Sequence, residues 1–177
     1  MPNFFNSLFK TTPKFVAGHK VESTKTVGGV MGESFDYLGS VRANSAFCKK
    51  LLKWCAREYS TQNVLFLLMC EKYKKNPSTA LFNHIYTEFV QSGSPKEINI
   101  SGKATLALTT VWKLGCPDAS PVVFKDAISA TTSNVGDSIT RLINANFSTA
   151  FTLPEASQQR EFDAAMAYLK TQSINLL

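Results

Sequence analysis

The feature that most constrains the fold is an uninterrupted apolar run, VLFLLMC, over Val64–Cys70. A run of this length is too short to cross a bilayer, which takes about 20 residues. It therefore predicts an element that is buried on every side and around which the rest of the chain packs. Asn76 must end this element, because a residue before a proline avoids helical backbone angles. With 177 residues, of which 44% are hydrophobic, the chain has enough apolar material for one domain with a core.

Apolar residues elsewhere recur at helical spacing, and no segment alternates as a strand does. Phe47, Leu51 and Trp54 share one face of a predicted helix that starts at Asn44 or Ser45. The next helix is predicted to be capped by Ser60 and to include the buried stretch Val64–Tyr73. Further helices are predicted over Ser78–Ser92, Ser101–Leu114, Pro121–Ser133, Asp137–Leu153 and Glu155–Ser173. The sequence therefore predicts an all-α fold.

The net charge of +6 is concentrated in one part of the chain. Eight basic and two acidic residues lie between Arg42 and Lys75, so this segment accounts for the whole net charge. The simplest interpretation is the solvated faces of two helices, and an anionic membrane surface is the second. Nucleic acid is the least favoured partner, because Gly-rich loops, zinc spacings and RNP-like aromatic signatures are missing.

Reactive and metal-binding residues form no recognisable motif. The four cysteines show no C-x-x-C pair, and there are only two histidines. There is also no G-x-S-x-G sequence and no P-loop. The first fifteen residues lack the apolar stretch and cleavage site of a secretory signal. We therefore expect a cytoplasmic protein with reduced thiols, no metal site, no cofactor of its own and no catalytic residues.

Three short blocks carry a resemblance to a known family. EYSTQNVLFLLMCEKYKK from Glu58 onward is similar to the signature of regulator of G-protein signalling (RGS) domains, with its Glu-Tyr-Ser turn and buried helix ending in Tyr-Lys-Lys. HIYTEFVQSGSPKEINI resembles the family's Ile-Tyr-x-x-Phe helix and the loop that follows it. GDSITRLINANF resembles the Asp-Ser-Tyr-x-Arg-Phe-Leu helix. Three blocks in the family's order, ending at Phe147, make a specific match.

The resemblance implies an architecture and an activity. It implies a single-domain antiparallel bundle of about nine helices, with an irregular arm over residues 1–32, the RGS-like domain over 33–153 and a C-terminal helix over 154–177 that packs on the bundle. It implies a monomer that binds the α subunit of heterotrimeric G proteins (Gα) in its GTP-bound or transition-state form and activates GTP hydrolysis. GTP and Mg²⁺ would be bound by Gα. The alternative is an RGS-like scaffold or sorting adaptor without this activity.

The resemblance also assigns residues to the Gα contact. The residues that match the family's contact segments are Glu58, Tyr59, Ser60, Gln62, Asn63, Asn99, Asp137, Ser138 and Arg141. In the family the loop asparagine, here Asn99, reaches toward the switch residues of Gα. From the residues alone, Asn99 is a common turn residue, and Asp137 suits the N-terminus of a helix.

Some positions depart from the family's pattern. Gln62 stands where the family usually has Glu, so a neutral amide replaces a charge-assisted acceptor. Leu67 replaces a buried Trp, and Ile139 replaces a Tyr. The family's contact Leu has no clear equivalent, and Ser133, Asn134 or Val135 could occupy its place. We expect these changes to weaken or redirect the choice of Gα.

Helix order predicts where the three blocks meet. If successive helices run up and down, alternate junctions lie at the same end of a bundle. The predicted turns at residues 58–63, 94–99 and 134–138 are every second junction, so we expect them to share one end.

The N-terminal segment supports a membrane hypothesis. Phe4, Phe5, Leu8 and Phe9 would share one face of a short helix with Lys10 nearby, which is typical of peripheral contact with an anionic plasma membrane. The competing interpretation is an arm that packs on its own core. A third class of function, a basic domain that binds nucleic acid, predicts strongly salt-dependent binding.

Overall fold

The structure is a computed structural model that describes residues 45–116, 120–145, 153, 155–174 and 176. The arm predicted over residues 1–32 lies outside these ranges. Within them, all regular structure is helical, so the predicted fold class is confirmed there. The helices are α1 (Ser45–Arg57), α2 (Thr61–Lys75), α3 (Thr79–Ile85), α4 (Gly102–Lys113), α5 (Lys125–Asn144) and α6 (Ala156–Thr171), and a π-helical segment, Tyr86–Val90, continues α3. The total of about nine helices and the domain boundaries stay predictions.

Helix α2 is the centre of the core. Every residue of Val64–Cys70 is buried, and none has more than 8% of its surface exposed. α2 packs against α1, α3, α5 and α6. The prediction of a buried central element that ends before Pro77 is confirmed. Leu67, where the family usually has Trp, is among these buried residues.

Aromatic rings fill the space between α2, α3 and the start of α5. Phe124, the residue before α5, meets the ring of Tyr73 edge-on with 5.3 Å between ring centroids. The same ring stacks on Phe82 at 5.2 Å and meets Phe66 edge-on at 6.1 Å. Such pairs contribute about 0.5–1.5 kcal/mol beyond the area they bury. This cluster fixes where α5 starts relative to α2.

Two predicted helix caps are confirmed. The side chain of Ser78 accepts a hydrogen bond from the backbone N–H of Leu81 at 3.2 Å. The side chain of Ser101 accepts one from Ala104 at 3.2 Å. Each satisfies one of the free N–H groups at the start of a helix and contributes about 1 kcal/mol.

The predicted break between two helices near Ser133 is wrong. Residues 125–144 form one continuous helix, so the segment 134–138 is not a turn. Ser, Asn, Gly and Asp are poor helix formers, which is why the sequence suggested a break. Residues four apart on this helix are nevertheless buried, and they include Ala127, Thr131, Val135 and Ile139. Burial of this stripe outweighs the weak propensities.

The π-helical segment was not predicted. The backbone N–H of Gln91 donates to the carbonyl of Tyr86 at 2.9 Å, five residues earlier. The Tyr86 ring stacks on Trp112 of α4 with 4.9 Å between centroids. Its hydroxyl also lies 3.0 Å from the Thr109 hydroxyl. These contacts join the end of α3 to α4, so the intervening loop starts and ends on packed elements.

Candidate functional site

The turn between α1 and α2 is shaped by backbone hydrogen bonds. The N–H of Ser60 donates to the carbonyl of Cys55 at 2.8 Å, and the N–H of Tyr59 donates to Ala56 at 3.3 Å. This pair of bonds defines a Schellman motif, which requires a left-handed residue just after the helix. That residue is Tyr59, with a φ of 52°. The turn therefore presents Tyr59 in a backbone conformation that few residues other than glycine adopt.

Glu58 joins this turn to α5. Its carboxylate accepts two hydrogen bonds from Arg141, Nε to Oε1 at 2.6 Å and Nη2 to Oε2 at 2.9 Å. The Ser138 hydroxyl donates to Oε2 at 2.9 Å, and Nη2 of Arg141 also lies 3.1 Å from the Ser138 oxygen. We call these three residues the Glu58 cluster. A bidentate Arg–carboxylate pair is geometrically specific, so the cluster fixes the orientation of the turn on α5.

The environment of Glu58 favours its charged form. Burial acts to raise the pKa of its carboxyl, but the hydrogen bonds from Arg141 and Ser138 and the charge of Arg141 outweigh it and lower the pKa below the ordinary value. The Glu58 side chain is 20% exposed and that of Arg141 is 55% exposed. Ser138 is buried, with 3% exposed, so its hydroxyl acts within the domain.

Tyr59 extends from the turn toward α6. Its ring is about half exposed, and its hydroxyl donates to Glu155 Oε2 at 3.1 Å. The hydroxyl is also 2.7 Å from Oγ of Ser157. α6 contacts the same turn again through Gln158, whose Nε2 donates to the carbonyl of Arg57 at 3.2 Å. The start of α6 thus supports the turn, a role that no signal in the sequence indicated.

Ser60 does not cap α2 with its side chain, so this prediction is wrong. Ser60 does precede α2, but its side chain makes no capping hydrogen bond. Its hydroxyl instead points back, 3.4 Å from the carbonyl of Cys55. The Schellman motif explains the difference, because it sets the backbone of Ser60 away from the extended angles typical of an N-cap (φ −133°, ψ 23°).

Gln62 and Asn63 lie in the first turn of α2, and both are partly buried. The side-chain oxygen of Asn63 is buried, and it has no hydrogen-bond partner among the residues that the structure describes. Buried acceptors are almost always paired, so an unpaired one calls for an explanation. Because this oxygen is not accessible from the surface, it does not itself support the predicted contact of Asn63 with a partner.

Asn99 ends a well-anchored loop. The loop is held by Ile98, which is buried and whose N–H donates to the carbonyl of Phe89 at 2.9 Å. Lys96 pairs with Glu88 at 2.6 Å. Asn99 itself is exposed, and its backbone carbonyl accepts a hydrogen bond from Asn134 Nδ2 at 3.4 Å. The loop therefore presents the Asn99 side chain to solvent beside α5.

Asp137 is exposed in the interior of α5, so its predicted place at a helix N-terminus is wrong. Ser133 is exposed one helical turn earlier and lies on the same face as Asp137. Val135 is 2% exposed and cannot present its side chain to a partner. Of the three candidates for the place of the family's contact Leu, Ser133 and Asn134 both neighbour Asp137 on the helix surface, and Ser133 is the more exposed of the two.

The three sequence blocks do meet, although the argument from helix order used a turn that does not exist. The first meets the third through the Glu58 cluster. The second is joined to the same helix, because Asn99 accepts a hydrogen bond from Asn134, which lies on α5 two residues before the third block begins. We call the exposed part of this region, which comprises Tyr59, Asn99, Ser133 and Asp137, the contact surface.

The described residues include no group of three or more His, Cys, Asp or Glu side chains that could hold a metal ion. All four cysteines are buried, and none of them forms a disulfide bond. Burial raises the pKa of the Cys48 and Cys55 thiols to about 12 and also raises that of Cys70. These three thiols are therefore protonated and weakly nucleophilic at neutral pH. In the described part of the chain, no helix has both the length and the apolar character of a membrane span.

Comparison with known proteins places the chain in a family. Residues 38–167 match the family model described as "Regulator of G protein signaling domain". The chain is 40% identical over 72 residues to regulator of G-protein signaling 8 of Danio rerio, which covers 38% of this chain and 40% of that protein. It is 37% identical over 98 residues to regulator of G-protein signaling 16 of Homo sapiens, a match that covers 51% of this chain and 47% of that protein. It is 34% identical over 91 residues to regulator of G-protein signaling rgs-7 of Caenorhabditis elegans, a match that covers 48% of this chain and 11% of that protein.

The matched regions span less than half of the length of each of these relatives. The family match, in contrast, extends over well more than half of the present chain and includes every residue of the contact surface. The chain therefore belongs to the regulator of G protein signaling domain family.

Proposed function

We propose that the chain binds Gα through the contact surface and accelerates its hydrolysis of GTP. The observation that carries this proposal is the bonding of the first block to the third through the Glu58 cluster. Asn99 of the second block, which is bonded to α5 through Asn134, and Asp137 of the third are both exposed. A binding surface built on rigid elements keeps its side chains in place without a partner, which reduces the entropy lost on binding.

Such a domain needs no catalytic group of its own. Gα carries its own arginine finger, Mg²⁺ and water-orienting Gln, yet turns over at only about 10⁻² per second. A partner that holds the mobile switch loops in their transition-state geometry raises this rate, because only interactions stronger in the transition state accelerate the reaction. A hundredfold gain corresponds to about 2.7 kcal/mol, which a few such hydrogen bonds can supply.

The residues divide into two roles under this proposal. Asn99, Tyr59 and Asp137 contact Gα, with Gln62 and Asn63 at the edge of the interface. Glu58, Ser138 and Arg141 act as positioning residues, because their polar atoms bond to one another and Ser138 is buried. Ser60 shapes the turn through its backbone.

The test is single-turnover GTP hydrolysis by several Gα classes, alone and with the chain. We expect the wild-type chain to accelerate at least one class and Asn99→Ala to lose about tenfold or more of that acceleration, which corresponds to about 1.4 kcal/mol. Asn76→Ala is the matched control. It makes the same substitution at an exposed residue 13 positions along the chain from Asn63, about 20 Å away at the other end of α2. Full acceleration by Asn99→Ala would contradict the assigned role.

A scaffold without GTPase activation is the second candidate, and Ser133 favours it. Ser133 offers a small polar side chain on the face of Asp137, where the family's contact Leu would add apolar area. Under this alternative the chain would bind Gα in its transition-state form without accelerating hydrolysis. Binding assays with the GDP-bound, GTP-analogue and transition-state-analogue forms separate the two candidates, and Ser133→Leu should then restore some acceleration.

A further inference from the structure

One face of α4 is exposed although half of its residues are apolar. Five residues of α4 and Leu114, which directly follows it, lie within an arc of about 120°, and we call these six residues the α4 outer face. All six are exposed, and they are Lys103, Leu106, Ala107, Thr110, Lys113 and Leu114. Leu106 and Leu114 are each 68% exposed. Single exposed apolar residues are normal, but an apolar stripe between lysines points to an interaction.

The polar groups of this helix are satisfied internally. The Thr110 hydroxyl donates to the carbonyl of Leu106 at 2.9 Å. Thr105 and Thr109 make the same bond to carbonyls four residues earlier, at 3.3 Å and 2.8 Å. A helix can enter apolar surroundings only if such groups have partners within it. The α4 outer face therefore has no neutral polar side chain that needs water.

The charge of the face is of one sign. From Ile98 to Cys116 the sequence has no acidic residue, and its two basic residues are Lys103 and Lys113. They are ten positions apart, or about 15 Å along the helix, and flank the exposed Leu106. A lysine side chain can lie along an apolar surface and extend its ammonium to a charged group outside it.

We propose that the α4 outer face docks on an anionic membrane surface. An apolar stripe flanked by lysines on a helix with internally bonded hydroxyls fits the boundary between acyl chains and anionic headgroups. A second copy of the chain fits less well, because pairing two such faces in either direction brings lysine against lysine. This proposal does not depend on GTPase activation, since the docking would take place without Gα.

The experiment measures binding of the full chain to vesicles by co-sedimentation. One set contains phosphatidylcholine alone, and the other contains 30% phosphatidylserine. We expect binding to the second set that weakens as the salt concentration rises. Equal binding to both sets, or no binding to the anionic set, would overturn the proposal.

Two paired variants test the face itself. Leu106→Gln with Leu114→Gln should lower the partition coefficient by about tenfold or more, because each leucine loses its transfer to the acyl boundary. Lys103→Gln with Lys113→Gln should lower it by about fivefold per lysine. Leu114→Trp keeps an interfacial apolar side chain and should bind at least as tightly as the wild type.

The matched control is Lys49→Gln with Lys75→Gln, which removes the same charge from two exposed lysines on α1 and α2. We expect a smaller loss than from the α4 pair. A loss as large as that of the α4 pair, or wild-type binding by the leucine pair, would overturn the proposal. Sedimentation velocity would also overturn it if it showed a dimer that the leucine pair dissociates. Thermal unfolding checks that each variant is folded, which we expect because every changed residue is exposed.

Discussion

The turns after α1 and α4 have the same backbone hydrogen bonds but different residues at the critical position. After α4, Cys116 N–H donates to the carbonyl of Val111 at 2.9 Å and Gly115 to Trp112 at 3.0 Å, which repeats the pattern around Tyr59. Gly115 has a φ of 72° and Tyr59 a φ of 52°. Glycine adopts this left-handed conformation readily, whereas another residue loses about 1–2 kcal/mol.

The turn after α6 repeats the same bonds with Ser173 at a φ of 57°, so a non-glycine residue at this position does not by itself mark a site. What sets the first turn apart is what its side chain contacts. Tyr59 is half exposed on the contact surface, and its hydroxyl reaches Glu155 and Ser157. The turn after α4 has glycine at this position, although the next residue, Cys116, is itself left-handed with a φ of 49°. Strained residues tend to occur at functional sites, and Tyr59 follows that tendency. Four measurements test or refine this comparison.

The largest effect on stability should come from Gly115→Ala. A Cβ at Gly115 meets nothing within 4 Å, so only the left-handed backbone is unfavourable. We expect a loss of about 1–2 kcal/mol in the free energy of unfolding, measured by urea denaturation. Gly102→Ala, in the first turn of the same helix, is the control. Its added Cβ also meets nothing within 4 Å and its φ is not positive, so it should stabilise by up to about 1 kcal/mol. A neutral Gly115→Ala would contradict the comparison.

A pair of variants at Tyr59 isolates the strain of the first turn. Tyr59→Gly and Tyr59→Ala both remove the ring and its hydrogen bonds, but only the alanine retains the unfavourable left-handed backbone. We expect the glycine variant to be more stable than the alanine variant by about 1 kcal/mol in urea denaturation. Both should bind Gα less tightly than the wild type under the proposed function. Equal stability of the two variants would mean that the turn relaxes when the ring is removed.

A smaller, pH-dependent effect should come from the Glu58 cluster, which only the first turn has. Because the folded-state pKa of Glu58 lies below the ordinary 4.5, its contribution is fully present above that pH. It is lost as the pH falls through the lower folded pKa. Since Arg141 is more than half exposed, we expect only about 0.5–1 kcal/mol at pH 7. Glu58→Gln should be less stable than the wild type at pH 7 by this amount, and the gap should narrow as the pH falls below the ordinary pKa of a glutamate.

The matched control for this measurement is Glu97→Gln, an exposed glutamate in the loop before Asn99. A double-mutant cycle of Glu58→Gln with Arg141→Gln gives the coupling between the two side chains. A gap between wild type and Glu58→Gln that stays constant from pH 7 to pH 3 would contradict the assigned ionisation.

The smallest effect is expected from thiol reagents. Cys55 lies in the last turn of α1, and its carbonyl accepts one of the hydrogen bonds that shape the first turn. Burial raises the pKa of the Cys55 and Cys48 thiols to about 12. At pH 8 the fraction of such a thiol that is ionised to thiolate is about a thousandfold lower than for an ordinary cysteine. We expect mass spectrometry to find almost no iodoacetamide label on Cys48 and Cys55 in the folded chain, and complete labelling in urea. Rapid labelling of the folded chain would mean that the turn opens.

Much of the fold could be predicted from the sequence because its signals are local. The apolar run in α2 predicted the buried centre, and Ser78 and Ser101 predicted helix starts that the structure has. The order of the three blocks predicted the family, and the residues of the contact surface followed from it. Each of these signals lies within a few residues of the element that it predicts.

The errors arose where a distant contact overrides local preference. Asp137 follows a run of poor helix formers, yet burial of Val135 and Ile139 keeps α5 continuous there. Ser60 is a common capping residue, yet the backbone angles of the preceding turn prevent its side chain from capping. Tyr59 is supported by Glu155 and Ser157, which lie 96 and 98 positions later in the sequence. No local pattern can indicate contacts over that distance along the chain.

By itself, the sequence determined the helical class and the buried centre, because periodicity and helix-start signals depend on neighbouring residues. Its motifs also predicted which residues contact a partner. The tertiary structure alone decided that Glu58, Ser138 and Arg141 bond to one another and that Tyr59 adopts a left-handed backbone. The physical reason is that hydrogen bonds between distant residues depend on how helices pack, and packing depends on the whole core at once.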